Sequence, residues 1–205
     1  EFADLIDQQD KVRLLIDPTS SYAQAAAMAM GRAMDDVIIS AALGTAFTGE
    51  TGSTSTANAN QIVHGGAVLT IAKLREAKQT LDLSDVDPSI PRYIIVSPKQ
   101  ISGLLNITEV TSSDFNTVKA LATGDINSYL GFNFIVSNRL ALSGTTRSCI
   151  AFAQDGLALG IGKDVNARID ERADKSYATQ VYYCMSIGAT RMEEDKVVEV
   201  QCTES

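Results

Sequence analysis

Apolar residues recur at steps of three and four between Ser21 and Leu43, where alanine is the commonest residue. This spacing places them on one face of an amphipathic helix, and alanine both favours helix formation and permits close packing. Ser21 and Gln24 have the spacing of a capping box, and Pro18 lies just upstream. We therefore predict a long helix, called the spine helix, against which a sheet packs. Its apolar positions are Tyr22, Ala25, Ala26, Ala29, Met30, Ala33, Met34, Val37 and Ile38.

A membrane-spanning helix is the main alternative for an apolar stretch of this length. Arg32, Asp35 and Asp36 lie near its middle. Each charged side chain would cost about 2.5 to 3.5 kcal/mol at the centre of a bilayer, more than the alanines offset. The sequence therefore favours a helix packed within the protein, and no membrane partner is expected.

Short apolar runs at three places have the length and composition of strands buried on both faces, and a terminal strand is expected to complete the set. They predict a mixed sheet of about four strands covered by helices, and an α+β fold. The four predicted strands are Arg92 to Ser97, Phe132 to Ser137, Cys149 to Ala153 and Val197 to Cys202.

Helical spacing also predicts helices over Ala67 to Leu83 and Asp114 to Ala122. Ser97 and Pro98 have the residue types of an N-cap and a first helical position, so a further helix is expected through Leu105. The Gly, Ser, Thr and Asn-rich stretch from Thr45 to Asn60 predicts a mobile loop between two structural units. The first residues, Glu1 to Asp17, predict a short helix or an extended lead-in.

Strict alternation of apolar and polar residues begins at Val165 and predicts a half-exposed strand. A charged tip from Glu171 to Lys175 follows, and the chain then reads as extended from about Tyr177 to Met192. Two strands of this length predict a projecting antiparallel hairpin lying beside the spine helix. The tip charges fit either a solvated turn or pairing with a copy of the same surface.

The overall composition is that of a globular protein, with 45% hydrophobic and 20% charged residues. A net charge of -8 and the lack of a Lys/Arg cluster argue against a nucleic-acid-binding face. Cys149, Cys184 and Cys202 are odd in number and lie in apolar runs, which predicts core thiols in a reducing compartment. No signal peptide is recognisable, so cytosol-like conditions are expected.

The candidate catalytic and metal-binding motifs are weak. His64 is the only histidine, and its Gly-rich surroundings favour a surface or capping role. The tract from Gly156 to Asp164 fails both phosphate-loop patterns and is interpreted as a glycine-rich turn between strands. Asp85 and Asp87 lie beside prolines, as in a solvated turn. We therefore expect no catalytic residue, no cofactor and no bound metal.

The order of these elements resembles that of the major capsid proteins of tailed bacteriophages. The motifs that carry the resemblance extend over most of the chain. They are Asp17 to Gln24 leading into the Ala-rich helix that closes with Asp35 and Asp36, the Gly/Thr loop, the Ile94 to Pro98 strand-to-helix junction, the Gly131 to Val136 strand, and Arg168 to Asp174 before a long strand.

This resemblance implies a peripheral domain with the spine helix and long hairpin, and an axial domain with the mixed sheet and its helices. The corresponding limits are residues 1–64 and 164–195 for the peripheral domain, 65–163 for the axial domain, and 196–205 for a terminal strand returning to the axial sheet. The resemblance also assigns the charged tip to contacts between neighbouring subunits. The tip residues are Arg168, Asp170, Glu171, Arg172, Asp174 and Lys175.

The function implied by the resemblance is that of a shell subunit, assembled as hexamers and pentamers around a viral genome. Scaffold and portal proteins are implied partners, with the host cytoplasm as the location before assembly and the virion after it. The family's N-terminal arm and extended loop are missing in front of the spine helix, so the isolated chain is expected to be a monomer or small oligomer. An encapsulin-like compartment shell and a small α/β ligand-binding enzyme are the alternatives.

Overall fold

The computed structural model describes residues 1–6, 19–106 and 128–204. The chain forms two compact units: Glu1–Ile38 with Leu159–Ala189, and Ile39–Ala158 with Thr190–Ser205. These limits differ from the sequence-based domain boundaries, and the assignment to peripheral and axial domains stays a prediction.

The spine helix is present and is the longest helix among the described residues. It begins two residues earlier than predicted, so Ser21 lies inside it and cannot act as its N-cap, which requires a non-helical backbone. None of the helices in the described ranges is long and apolar enough to cross a membrane. The helices are α1 (Thr19–Leu43), α2 (Ile71–Leu83) and α3 (Pro98–Leu105).

The start of α2 was predicted too early. Thr70 is extended and its side chain accepts a hydrogen bond from the Lys73 amide at 3.4 Å, so Thr70 is the N-cap and the helix begins at Ile71, four residues after the proposed Ala67 start. The predicted start of α3 is confirmed, with Ser97 extended before Pro98. The Ser97 hydroxyl donates a hydrogen bond to the Glu204 carboxylate and makes no capping hydrogen bond to the helix. The predicted helix from Asp114 to Ala122 lies outside the described residues.

The first unit contains α1 up to Ile38 and a three-stranded sheet. The sheet order is β1-β11-β10, and β1 runs antiparallel to β11. Val181 and Tyr183 of β11 form a buried cluster with Ala26 and Met30 of α1 and Ile6 of β1. The hairpin and its position beside the spine helix are therefore confirmed. The strands are β1 (Phe2–Ile6), β10 (Leu157–Arg172) and β11 (Ala178–Arg191).

The glycine-rich tract from Gly156 to Asp164 was interpreted wrongly as a turn. From Leu157 onward it lies within β10. A Cβ atom at Gly162 would meet Ser186 of the neighbouring strand at ordinary contact distance. Glycine has a low strand propensity, so the local sequence did not predict a strand here. Pairing with β11 holds these residues in a strand.

The second unit is built on a mixed sheet in the order β4-β12-β9-β5-β7-β6, with β8 paired to β9. The β5–β7 and β12–β4 pairs are parallel, whereas β9 is antiparallel to both β5 and β12. All four predicted strands are present at its centre, and three short strands were missed. The strands are β4 (Gln61–Ile62), β5 (Arg92–Val96), β6 (Ser128–Tyr129), β7 (Phe132–Val136), β8 (Leu142–Ser143), β9 (Thr146–Ala153) and β12 (Val197–Thr203).

The core of this unit is formed where α2 and α3 cover the sheet with their apolar faces. Cys149 and Cys202 are buried in it, as predicted, whereas Cys184 of β11 is half-buried; all three are free thiols. A hydrogen bond with Cys202 and burial raise the pKa of the Cys149 thiol well above its ordinary value.

The stretch predicted to be a mobile loop contains a small antiparallel hairpin of β2 (Ala46–Thr48) and β3 (Thr54–Thr56). A loop was predicted because the stretch has few apolar residues, and for these strand residues the prediction was wrong. It did not include the contribution of a cation far along the chain. The guanidinium of Arg191 donates to the backbone carbonyls at Ala42, Gly44 and Thr56, at 3.0, 2.9 and 2.9 Å. The hairpin is therefore tied to the end of α1.

Candidate subunit-interaction surface

The tip of the long hairpin has a defined backbone conformation. β10 ends at Arg172, and a 3-10 turn over Ala173–Lys175 follows. Ser176 and Tyr177 then take left-handed conformations, with φ of 52° and 60°, and the Tyr177 amide donates to the Arg172 carbonyl at 3.0 Å. Non-glycine residues adopt such angles rarely and at some cost, so the hairpin reverses through a specific turn.

An ion pair fixes the tip side chains. Arg172 donates to both carboxylate oxygens of Asp174, from Nε at 2.7 Å and from Nη2 at 2.6 Å, and also to the Gln180 amide oxygen at 3.1 Å. The bond from Arg172 lowers the pKa of Asp174 to about 2 and raises that of Arg172. Both side chains are exposed to solvent. The pair therefore orients charge at the surface and adds little to stability.

Three of the six predicted interface residues lie along one face of β10. Side chains two residues apart in a strand share a face, which places Arg168, Asp170 and Arg172 together. Glu171 is on the opposite face and Lys175 is in the turn, so the structure does not bring them into this group.

The same face of the hairpin forms a shallow trough of about 500 Å³. Sequence reasoning missed the neighbouring strand's contribution, Gln180, Tyr182 and Cys184, and also Asn166 on β10. Period-two alternation along β11 could have identified the first three once their strand was recognised. The trough is lined by groups of both charges and by neutral polar groups, as suits a surface that pairs with another protein.

The other candidate residues lie in local structure. His64 is exposed, and its Nδ1 accepts from the Gly66 amide at 2.9 Å. The Asp87 carboxylate accepts from the Ser89 amide at 2.8 Å, and this bond lowers its pKa. Within the described ranges, no cluster of three or more His, Cys, Asp or Glu side chains is arranged to hold a metal ion.

The enzyme alternative predicts a pocket at the carboxyl ends of β5 and β7. A cavity of about 610 Å³ in the second unit lies at the amino ends of these strands, where Pro91, Arg92 and Gly131 line it. Arg92 is paired there with Asp82 at 2.7 Å. This geometry differs from what the enzyme alternative predicts.

Comparisons with solved structures find capsid shells. This protein is similar to a chain from Mycobacterium phage Che8, with a TM-score of 0.75 and 18% identity. The match covers 97% of this chain and 68% of the phage chain. A capsid chain of the cyanophage P-SCSP1u matches over 100% of this chain and 72% of its own, with a TM-score of 0.73 and 17% identity. These likenesses show a shared fold.

An encapsulin complex from Synechococcus elongatus PCC 7942 has the same fold at lower similarity. It matches over 99% of this chain and 72% of its own, with a TM-score of 0.66 and 9% identity. No curated protein sequence matches the chain.

The family comparison covers nearly the whole chain. The model described as phage capsid protein matches residues 1–204, across both units. The predicted resemblance is therefore confirmed, and the chain belongs to the phage capsid protein family.

Proposed function

We propose that this chain is the major capsid subunit of a tailed phage or prophage, and that its hairpin tip contacts neighbouring subunits in an icosahedral shell. The first compact unit corresponds to the peripheral domain and the second to the axial domain. Copies of the full-length protein associate as hexamers and pentamers around the genome, with scaffold and portal proteins as assembly partners. The protein acts by geometry and carries out no reaction.

The observation that carries the proposal is the exposure of the hairpin end. Every residue from Ala167 to Tyr177 is exposed, although this stretch has regular β structure and a specific turn. A two-stranded ribbon is only marginally stable in water without a covering surface. A neighbouring subunit would supply that cover, and the oriented Arg172–Asp174 pair offers it a fixed charge pattern.

The charge of the chain is compatible with a shell wall that surrounds nucleic acid. With a net charge of -8 and no run of Lys and Arg, the sequence carries little of the concentrated positive charge that non-specific DNA binding requires. A shell wall of this composition encloses DNA without adhering to it. The tip carries charges of both signs, so it can pair with another copy despite the acidic balance.

The experiment is particle assembly by the full-length protein expressed with its assembly partners. Glu171→Lys and Lys175→Glu each reverse one exposed tip charge and leave both partners of the Arg172–Asp174 pair in place. We expect both to lower the yield of closed particles seen by electron microscopy. Glu76→Lys, an exposed reversal on α2, is the matched control. Wild-type yields from both tip variants would reject the tip as a subunit contact.

An encapsulin-like compartment shell is the second candidate, because an encapsulin has the same fold. The two functions differ in contents rather than in shell geometry. Native particles purified after nuclease treatment should contain protected DNA if the shell is viral. Recovery of a cargo protein without nucleic acid would instead support the compartment.

A further inference from the structure

One long edge of the hairpin sheet is open among the described residues. β10 is the last strand in the order β1-β11-β10, so only one of its sides has a partner within residues 1–6, 19–106 and 128–204. It is 16 residues long and contains no proline. Proteins usually blunt such edges with prolines, bulges or short strands, because an open edge is a template for pairing with another chain.

The charges on this edge alternate in sign rather than repeat. Arg168, Asp170 and Arg172 follow one another on one face, and Arg172 is already bound by Asp174. Edge strands protected from self-pairing usually carry like charges such as lysines, which repel a copy of themselves. The alternation of Arg168 and Asp170 instead creates a surface that is complementary to its own copy.

The pairing register follows from these two charges. If two copies of β10 run antiparallel about a two-fold axis at Ile169, Arg168 of each copy lies opposite Asp170 of the other. Two opposite-charge pairs form at once, since the symmetry repeats each contact. Centring the pair on Arg168 opposes two arginines, and centring it on Asp170 opposes two aspartates. An axis at Glu171 would pair Asp170 with Arg172 but would also oppose two glutamates. Of these four registers, only the one at Ile169 brings attractions without a like-charge contact.

The other face of the strand favours the same register. Ile169 is 49% exposed on the face opposite Arg168 and Asp170, and Val165 nearby is 37% exposed. With the axis at Ile169, the two isoleucine side chains meet directly and remove each other from water. Arg172 then lies opposite Asn166 of the second copy, so its pair with Asp174 is undisturbed.

We propose that two copies of this chain pair antiparallel through their β10 edges, with the two-fold axis at Ile169 and reciprocal Arg168–Asp170 contacts. The two hairpin sheets join into one continuous sheet of six strands. The inference deepens the proposed function because it names one geometry of self-association, but its test uses the isolated chain and requires no particles.

The test is sedimentation equilibrium of the isolated chain and four variants over a range of concentrations and salt. Arg168→Glu and Asp170→Lys each replace two attractions with two repulsions, so we expect each to weaken dimerisation by about tenfold. The double variant exchanges the two charges and should recover most of the affinity. Arg75→Glu, an exposed reversal on α2, is the charge-matched control and should leave dimerisation unchanged.

Circular dichroism of each variant verifies the fold, and recovery by the double variant distinguishes a direct contact from damage to the hairpin. Three results would overturn the proposal: a wild-type chain that is monomeric at every concentration, single variants that dimerise as well as the control, or a double variant as weak as the singles. None of these bears on particle assembly through the tip, so the two proposals can fail separately.

Discussion

Removal of the Arg191 side chain should substantially destabilise the second unit. This side chain is 4% exposed, and its two terminal nitrogens reach three backbone carbonyls. Ala42 is among the last residues of α1, so its carbonyl belongs to the end of the helix that lacks an intrahelical partner. The guanidinium is also a cation at the negative end of the helix dipole. Arg191→Met keeps much of the side-chain volume and removes these bonds.

The expected loss can be estimated from the burial of each carbonyl. The bond to Ala42 is buried, and leaving such an acceptor unpaired costs about 1 to 3 kcal/mol. The bonds to Gly44 and Thr56 are only partly buried, so water replaces part of each. Together these effects give about 3 kcal/mol. For a chain of this size that corresponds to a fall in Tm of about 6 to 12 °C.

The assay is urea unfolding followed by circular dichroism, combined with hydrogen exchange of the amides in the β2–β3 hairpin. Arg191→Lys keeps the charge, but its single ammonium cannot occupy the positions of both terminal guanidinium nitrogens, so it should lose about half as much stability as Arg191→Met. Arg75→Met is the control, an exposed change that should stay within about 0.5 kcal/mol of wild type. If Arg191→Met matches that control, the carbonyl contacts do not stabilise this unit.

Two further predictions concern one side chain in each unit, Glu204 in the second and Val181 in the first. Burial raises the pKa of the Glu204 carboxyl, but hydrogen bonds, first from Arg147, outweigh this and lower it overall. Because the pKa is lower in the folded state, the ionised carboxylate stabilises the protein at pH values above the ordinary glutamate pKa. This stabilisation is lost as the pH falls through the pKa of the folded state. Glu204→Gln should therefore cost about 1 to 3 kcal/mol near pH 7, with the difference shrinking in acid denaturation curves; a constant difference would contradict this. Val181→Ala removes two methyl groups from the cluster around Met30 and should cost about 2 kcal/mol in urea unfolding, whereas the exposed Val165→Ala should cost clearly less.

Local patterns predicted most of the elements that form this fold. The spine helix, the four central strands and the long hairpin were predicted from the spacing of apolar residues, which follows the backbone period of a helix or a strand. The errors arose where local preference and tertiary pairing disagree. Leu157–Arg172 contains glycines that weaken a strand, and the hairpin after α1 contains few apolar residues.

The candidate surface was predicted as a set of charged residues, and the structure determined how they are arranged. Arg168, Asp170 and Arg172 share a face because β10 is a continuous strand, and Arg172 is held by Asp174. The contributions of Gln180 and Tyr182 depend on the register between two strands. That register is not encoded in either strand alone.

The sequence by itself determined where helices and strands form and which family architecture they resemble, because these depend on residues a few positions apart. Only the tertiary structure decided the order of strands in each sheet, the position of β10 at the end of that order and the partners of the buried cations. Arg191 and the carbonyl at Ala42 are separated by 149 positions along the chain. No local pattern links them, since their contact exists only after the intervening chain has folded.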